Sequence, residues 1–106
     1  MSTNESVRHK GYGSTAKVNS ELLDALGSDY RTRIIRELDR HECISVDRLA
    51  DILSREFGKD VNQVAIGLHH NHLPRLADYG ICELYANEVR KGPRYPEVRL
   101  LLAQVE

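Results

Sequence analysis

The chain has 106 residues and a mass of 12.1 kDa, which allows one small domain with a single core. There is no Trp and a single Phe, so this core must be built mainly from aliphatic side chains. The apolar runs are too short to span a membrane and the polar start lacks a signal peptide, so we expect a cytoplasmic protein without a membrane partner. The net charge of −1 does not by itself indicate a nucleic-acid partner.

The charges are unevenly distributed along the chain. Residues 1–19, which we expect to form a flexible basic arm, have a net charge of +2. Residues 20–89 contain eight basic and thirteen acidic side chains, a net of −5, whereas residues 90–99 have a net of +3. The distribution predicts an arm followed by one domain, residues 20–106, with basic regions that favour anionic partners.

Capping residues and apolar spacing predict the first two helices. Ser20 is a candidate N-cap for a short helix that ends at Gly27. Ser28 or Asp29 then begins a second helix that ends near His41. Its apolar spacing places four arginines largely outward: Arg31, Arg33, Arg36 and Arg40.

A very short strand and a third helix are predicted next. Cys43 and Ile44 form a brief apolar pair between polar flanks, which favours a strand of a few residues. Ser45 has the position and the chemistry of an N-cap for a helix over residues 46–54. Gly58 lies in the break that follows this helix.

A fourth, longer helix is predicted to run to about Tyr79. It begins at Asp60 with a capping box of the D-x-x-Q type, and its first amides are candidates for phosphate binding. Pro74 removes one backbone hydrogen bond, so we expect a kink or an irregular turn between His70 and Pro74. Gly80 is a natural stop after the helix.

The end of the sequence is interpreted as a β-hairpin. From Ile81 the apolar period changes to two, which predicts a strand. Pro93 and Pro96 then interrupt the chain before the apolar run of residues 98–102, which we interpret as the returning strand. The connecting segment, residues 87–96, would project as a basic flap.

This order of elements predicts an α+β fold, mostly α: a winged helix-turn-helix with a C-terminal β-hairpin wing. Such a fold places the fourth helix in the major groove of DNA and the wing on the phosphate backbone. The candidate recognition-helix residues are Asn62, Gln63, Ile66, His69 and His70. The candidate wing contacts are Arg90, Lys91, Arg94 and Tyr95. Possible further contacts to the DNA backbone are Ser45, Arg48 and Lys59.

Two motifs resemble known families. Residues 26–35, L-G-S-D-Y-R-T-R-I-I, resemble the L-G-x-x-x-R-x-x-I-L opening of ArsR-type winged-helix regulators. Residues 68–80, L-H-H-N-H-L-P-R-L-A-D-Y-G, resemble the more specific L-h-H-x-H-L-P-K-L-A-x-x-G signature of small haloarchaeal winged-helix domains. The resemblance covers about residues 22–102. It implies an archaeal transcriptional regulator, typically homodimeric, that binds double-stranded DNA and has no catalytic residues. Our own expectation is a repressor-like factor that acts by occupying a promoter.

Other classes remain open at this point. We expect no enzyme and no cofactor, since the sequence has no Gly-rich phosphate loop or nucleophile elbow. The acidic body favours an alternative, a winged helix that binds protein instead of DNA. A metal- or redox-responsive sensor is a further alternative: His69 and His72 share a helix side, and Cys43 meets Cys82 if the short strand pairs with the hairpin.

Overall fold

Residues 20–106 are described in the computed structural model, and they form a small, mostly helical α+β fold. The basic arm predicted for residues 1–19 lies outside this range. The elements follow in the order α1 (residues 20–25), α2 (Asp29–Arg40), β1 (Cys43–Ser45), α3 (Val46–Phe57), α4 (Val61–Gly67), a π-helical turn (Leu68–His72), α5 (Leu73–Asp78), β2 (Cys82–Tyr85), β3 (Glu88–Lys91) and α6 (Tyr95–Val105). No helix within residues 20–106 is both long and apolar enough to cross a bilayer.

Side-chain oxygens begin three of the helices. Ser28 accepts a hydrogen bond from the amide three residues further on at 3.4 Å, and Ser45 does the same at 3.0 Å. Asp60 caps α4 in the same way. These three caps confirm the sequence prediction, because a short polar side chain before an amphipathic run satisfies amides that have no partner within the helix. Ser20 differs, since it already lies inside α1 and is not its cap.

The three strands form an antiparallel sheet in the order β1-β3-β2. Val89 of β3 pairs with Ile44 of β1 on one side and with Leu84 of β2 on the other, and it is fully buried. The neighbouring row, in which Arg90 lies between Cys43 and Glu83, belongs to the opposite face because side chains alternate along a strand. The sheet therefore has one face in the core and one face in solvent.

The returning strand predicted for residues 98–102 is wrong, because this run belongs to α6. Tyr95, Val98 and Leu102 are buried at spacings of three and four residues, the period of a helix face packed on a core. Pro96 lies in the first turn of α6, where its missing amide would have had no helical partner. The real returning strand is β3, so the long basic flap does not form.

A two-residue turn joins β2 and β3 and is attached to the start of α3. Asn87 accepts a hydrogen bond from the amide of Val46 at 2.9 Å and donates one through Nδ2 to the carboxylate of Asp47 at 3.3 Å. Ala86 adopts a φ of 54°, the left-handed conformation that such short turns require. The tip of the hairpin is thereby fixed next to the N-terminus of α3.

The core is aliphatic, as the composition predicts. Among the described residues, Tyr95 is the one aromatic side chain in the buried set. The largest fully buried side chains are Ile34, Ile35, Leu38, Val46, Leu49, Leu53, Leu68, Leu73, Leu76, Ile81, Val89 and Leu102. They come from α2, α3, the π-helical turn, α5, the sheet region and α6, so each of these elements contributes to one shared interior.

The predicted irregularity of the long helix is confirmed. Between α4 and α5 the chain makes a π-helical turn, in which the amide of Leu73 donates to the carbonyl of Leu68, five residues earlier. Pro74 follows at the start of α5 and has no amide to offer. Gly80, with a φ of 76°, ends the helical run in the left-handed conformation.

We predict that Gly92→Ala destabilises the fold. A Cβ at Gly92 would lie 2.9 Å from the amide nitrogen of Cys82 and closer still to the carbonyl oxygen of Gly80, which is backbone that cannot rotate away. We expect the free energy of unfolding to fall by roughly 1–3 kcal/mol in urea denaturation. The control is Gly67→Ala, where the nearest atom is 3.9 Å away and the gain in helix propensity is up to about 1 kcal/mol. Equal stability of the two variants would contradict the close backbone contact.

Candidate nucleic-acid interface

The five candidate recognition residues are all exposed on α4 and the π-helical turn. Val64 and Leu68 turn inward from the same segment, so the outer side is defined by the helix period. Ile66, a large apolar side chain in the last turn of α4, is 60% exposed on this side. We call the outer residues the recognition face: Asn62, Gln63, Ile66, His69 and His70.

The N-terminus of α4 is occupied by an acid. Oδ2 of Asp60 accepts hydrogen bonds from the amides of Asn62 and Gln63, both at 3.1 Å. These amides are therefore not free to bind a phosphate, and the carboxylate already compensates the positive end of the helix dipole. The sequence expectation of a phosphate site at this helix end is thus wrong. Residues 60–74 also contain no Lys or Arg, so the recognition face is not basic at neutral pH.

Most of the cations in residues 20–106 have a carboxylate oxygen within 4 Å. Ion pairs of this kind hold Arg31, Arg33, Arg36, Arg40, Arg55, Arg75, Arg94 and Arg99. The described part of the chain leaves four cations without such a carboxylate: Arg48, Lys59, Arg90 and Lys91. All four belong to the set that the sequence predicts to contact phosphates.

Three of these cations lie on α3, directly before α4, and on β3. Arg48 is exposed in the first turn of α3, and Lys59 directly precedes the cap of α4. Arg90 extends from the solvent face of the sheet over the ring of Tyr85, with its guanidinium carbon 5.0 Å from the ring centre. Ser45 uses its hydroxyl oxygen as the cap of α3, so its contribution at this surface is to hold the helix.

Lys91 is exposed on the other face of the hairpin. The register pairs it with the buried Cys82, and its ammonium nitrogen lies 5.3 Å from the ring centre of Tyr95. Arg90 and Lys91 therefore extend from opposite faces of β3.

Two of the predicted wing residues are structural. Tyr95 is 4% exposed, and its hydroxyl donates to the carbonyl of Ile35 at 2.7 Å, which ties α6 to α2. Burial raises the pKa of Tyr95, so the hydroxyl keeps its proton. Arg94 precedes α6 and pairs with Glu21 at 3.1 Å and with Glu97 at 3.5 Å. The prediction that these two side chains contact DNA from a wing is therefore wrong, because the segment that carries them leads into a packed helix.

The two cysteines cannot form the disulfide of an intramolecular switch. Cys43 pairs with Arg90 and Cys82 pairs with Lys91, and these successive positions on β3 belong to opposite faces. Cys43 is exposed whereas Cys82 is buried, and burial raises the pKa of Cys82 to about 12. The proposed approach of the thiols is thus contradicted by the register.

The histidine pair is not assembled as a metal site. His69 is exposed, whereas His72 is half-buried against the ring of Tyr30, with the two ring centres 5.4 Å apart. Nowhere in residues 20–106 do three His, Cys, Asp or Glu side chains come together to hold a metal ion. We therefore do not assign His69 and His72 as metal ligands.

Asp24 was not identified from the sequence. Its carboxylate accepts a hydrogen bond from the hydroxyl of Tyr79 and pairs with Arg75 at 3.3 Å and Arg31 at 3.8 Å. The Tyr79 hydrogen bond and the two guanidinium groups hold the pKa of Asp24 below its usual value. Asp24 thereby joins α1 to α2 and α5, beside an open cleft of about 620 Å³ that also reaches His70.

Residues 23–90 match the model of a family described as a domain of unknown function, DUF7344. The chain belongs to this DUF7344 family. The matched region begins in α1 and ends within β3, so the DUF7344 match includes the recognition face, the π-helical turn and nearly all of the hairpin, and it stops before α6. No curated protein matches the chain.

The structural assignment of Tyr95 makes a prediction. Tyr95→Phe removes the hydrogen bond to Ile35 without opening a cavity, so we expect the free energy of unfolding to fall by about 1 kcal/mol. Tyr85→Phe is the matched control, because the hydroxyl of Tyr85 bonds Glu83 at an exposed site and its loss should change stability by less than about 0.5 kcal/mol. Thermal or urea unfolding of both variants measures the difference. A larger loss for Tyr85→Phe would contradict the assignment.

Proposed function

We propose that this DUF7344 protein is a winged-helix regulator that binds double-stranded DNA and acts by occupying a promoter. In this proposal the recognition face enters the major groove and the β2–β3 hairpin serves as the wing on the backbone. The observation that carries it is the distribution of the cations that have no carboxylate within 4 Å in residues 20–106: Arg48 on α3, Lys59 directly before α4 and Arg90 on the hairpin belong to this set, while the arginines of α2 are engaged by acids.

Unpaired cations are the groups best suited to phosphates. A guanidinium that is already bonded to a carboxylate must break that bond before it contacts DNA, whereas a free one gains a partner and displaces a counterion. Arg48 and the hairpin turn are held together, because Asp47 bonds Asn87. The positions of these phosphate contacts are thus set by packed elements.

The recognition face offers base contacts without charge. The side-chain amides of Asn62 and Gln63 match the N6 and N7 edge of adenine, and the exposed methyl groups of Ile66 match the methyl group of thymine. The carboxylate of Asp60 at the same helix end would repel a phosphate. A binding mode that places the DNA backbone at this helix end is therefore disfavoured. Specificity and affinity would then come from different residues.

We infer that a second copy of the chain binds to the outer side of α6. Leu100 is 68% exposed there, on the side of the helix opposite the buried Tyr95, Val98 and Leu102. A large apolar side chain on the outer side of a helix is a candidate for a contact between subunits. A dimer would place two recognition faces on two half-sites, which a domain of this size needs for tight binding.

The dimer is tested with Leu100→Lys. A charge at this position would have to be buried in the contact, so we expect the dissociation constant of the dimer to rise at least about tenfold. Val105→Lys is the control, because this apolar side chain is equally exposed on the same helix but lies about 140° around the helix axis from Leu100. Sedimentation equilibrium of the full chain measures both variants. An unchanged dimer, or an equal effect of the two variants, would contradict the assigned surface.

DNA binding is tested with Arg48→Ala against Arg55→Ala. Both arginines are exposed on α3 and both changes remove one positive charge, but Arg55 pairs with Asp51 at 3.1 Å and Arg48 has no carboxylate within 4 Å in residues 20–106. We expect Arg48→Ala to lower the slope of log affinity against log salt by about 1, and Arg55→Ala to change it much less. The measurement is a salt titration with DNA from the protein's own upstream region and with random duplex.

The outcomes of this titration separate two functions. Identical slopes for the two variants would contradict the assignment of Arg48. Absence of binding at low salt would contradict DNA binding and favour a protein-interaction module. That second candidate is supported by the exposed Val61 and Ile66 beside the Asp60 carboxylate, on a face without Lys or Arg.

A further inference from the structure

His72 occupies an unusual position at the end of the π-helical turn. Its ring lies against that of Tyr30, which is itself stacked on Phe57 with ring centres 4.5 Å apart. Nδ1 of His72 is buried and has no hydrogen-bond partner in the described residues. A buried polar atom without a hydrogen-bond partner lowers the free energy of unfolding, so Nδ1 of His72 reduces the stability of the turn.

The charges that face His72 are positive. Arg31 of α2 and Arg75 of α5 both approach it, and Asp24 of α1 is bonded to these two guanidinium groups. Nε of Arg31 is a second buried atom without a partner. A neutral imidazole tolerates this environment because its unprotonated nitrogen is an acceptor near cationic donors. An imidazolium would instead present a buried N–H donor without an acceptor beside two positive charges.

The other histidines of the turn are in a different environment. His69 and His70 are exposed on the recognition face, whereas the ring of His72 lies against Tyr30 of α2, which is stacked on Phe57 of α3. The three histidines thus differ in what protonation does: at the two exposed positions it adds positive charge to the surface, and at His72 it adds charge inside the packing.

We propose that protonation of His72 opens the π-helical turn, displaces the recognition face and makes DNA binding by this protein weaker at acidic pH. The inference rests on the proposed DNA-binding function for its readout, but the conformational step is a property of the free protein. The geometry that carries it is the buried, unpartnered Nδ1 of a ring packed on Tyr30, next to a turn that already has irregular backbone bonding.

The direction in which stability changes with pH follows from the cause of the pKa shift of His72. Burial and the charges of Arg31 and Arg75 lower the pKa of His72 in the folded state from the model-compound value of 6.5. Above pH 6.5 the imidazole is neutral in both states and has no pH-dependent effect on stability. As the pH falls below 6.5 the unfolded or opened state gains the proton first, so stability is lost until the pKa of the folded state is reached.

The first experiment uses the free protein. Histidine ring and backbone amide resonances are followed by NMR between pH 8 and 5 in the wild type and in His72→Phe, which keeps an aromatic ring on Tyr30 but does not titrate. We expect His72 to titrate below its ordinary range together with the amides of Leu68–Leu73, and we expect the phenylalanine variant to lose this coupled change. Amides that do not respond to the His72 titration would overturn the proposal. His72→Gln replaces the phenylalanine variant if that variant does not fold.

The second experiment compares DNA affinity of the wild type with that of the same variant at each pH. Both proteins contain His69 and His70, so the protonation of the exposed histidines cancels in the ratio of their dissociation constants. We expect this ratio to grow by up to about tenfold from pH 7.5 to pH 5.5, because an imidazole with the ordinary pKa of 6.5 in the opened turn gains its proton over the one pH unit below that value. A constant ratio would overturn the regulation. Failure to bind DNA at any pH would contradict the proposed function instead, and the NMR titration would still decide the conformational step.

Discussion

The missing amide of Pro74 constrains the whole candidate interface. An α-helix from Val61 to Asp78 would require position 74 to donate to the carbonyl of His70, and proline has no proton to donate. The chain responds with a π-helical turn, in which Leu73 bonds back to Leu68. Both leucines remain buried although they are five residues apart, a spacing that an α-helix would place on different sides. The irregular turn therefore keeps the core continuous while it exposes His69 and His70.

The charge of a segment says little about a surface until its ion pairs are known. Residues 90–99 have a net charge of +3, yet Arg94 bonds Glu21 and Arg99 bonds Asp39, acids that lie far away in the sequence. Within α2, the buried Glu37 pairs with Arg33, four residues earlier on the same helix, at 2.8 Å. Within residues 20–106, four cations have no carboxylate within 4 Å and remain for an anionic partner, and this set is selected by the fold and not by composition.

The features that could be predicted from the sequence are those with a local cause. Ser28, Ser45 and Asp60 cap helices because their own side chains reach amides two or three residues away. The kink near Pro74 is likewise a property of one residue. The sequence contained a signal for α6 as well, since Pro96 precedes an apolar pattern of period three to four, but the run of residues 98–102 fits a strand equally well.

Features that depend on distant partners could not be predicted. Tyr95 is buried because the carbonyl of Ile35 accepts its hydroxyl from 60 residues away. Asp24 and Tyr79, which bond each other across 55 residues, carry no local sign of that contact. The pairing of β1 with β3 also prevents a disulfide between the two cysteines, because the register places their side chains on opposite faces of the sheet.

In the proposed regulator, rigid elements would contact the phosphates and an adjustable turn would position the residues that contact the bases. Arg48 and Arg90 are positioned by α3 and by a hairpin whose turn bonds to the start of that helix, so their spacing cannot change without loss of packing. The histidine-bearing turn, by contrast, contains a non-standard backbone bond and one buried polar atom, Nδ1 of His72, that has no partner in residues 20–106. Because phosphate contacts set register and base contacts set sequence preference, movement of the turn would alter what is read without removing the protein from the backbone. Regulation at His72 would therefore act first on specificity, and only through the loss of base contacts on total affinity.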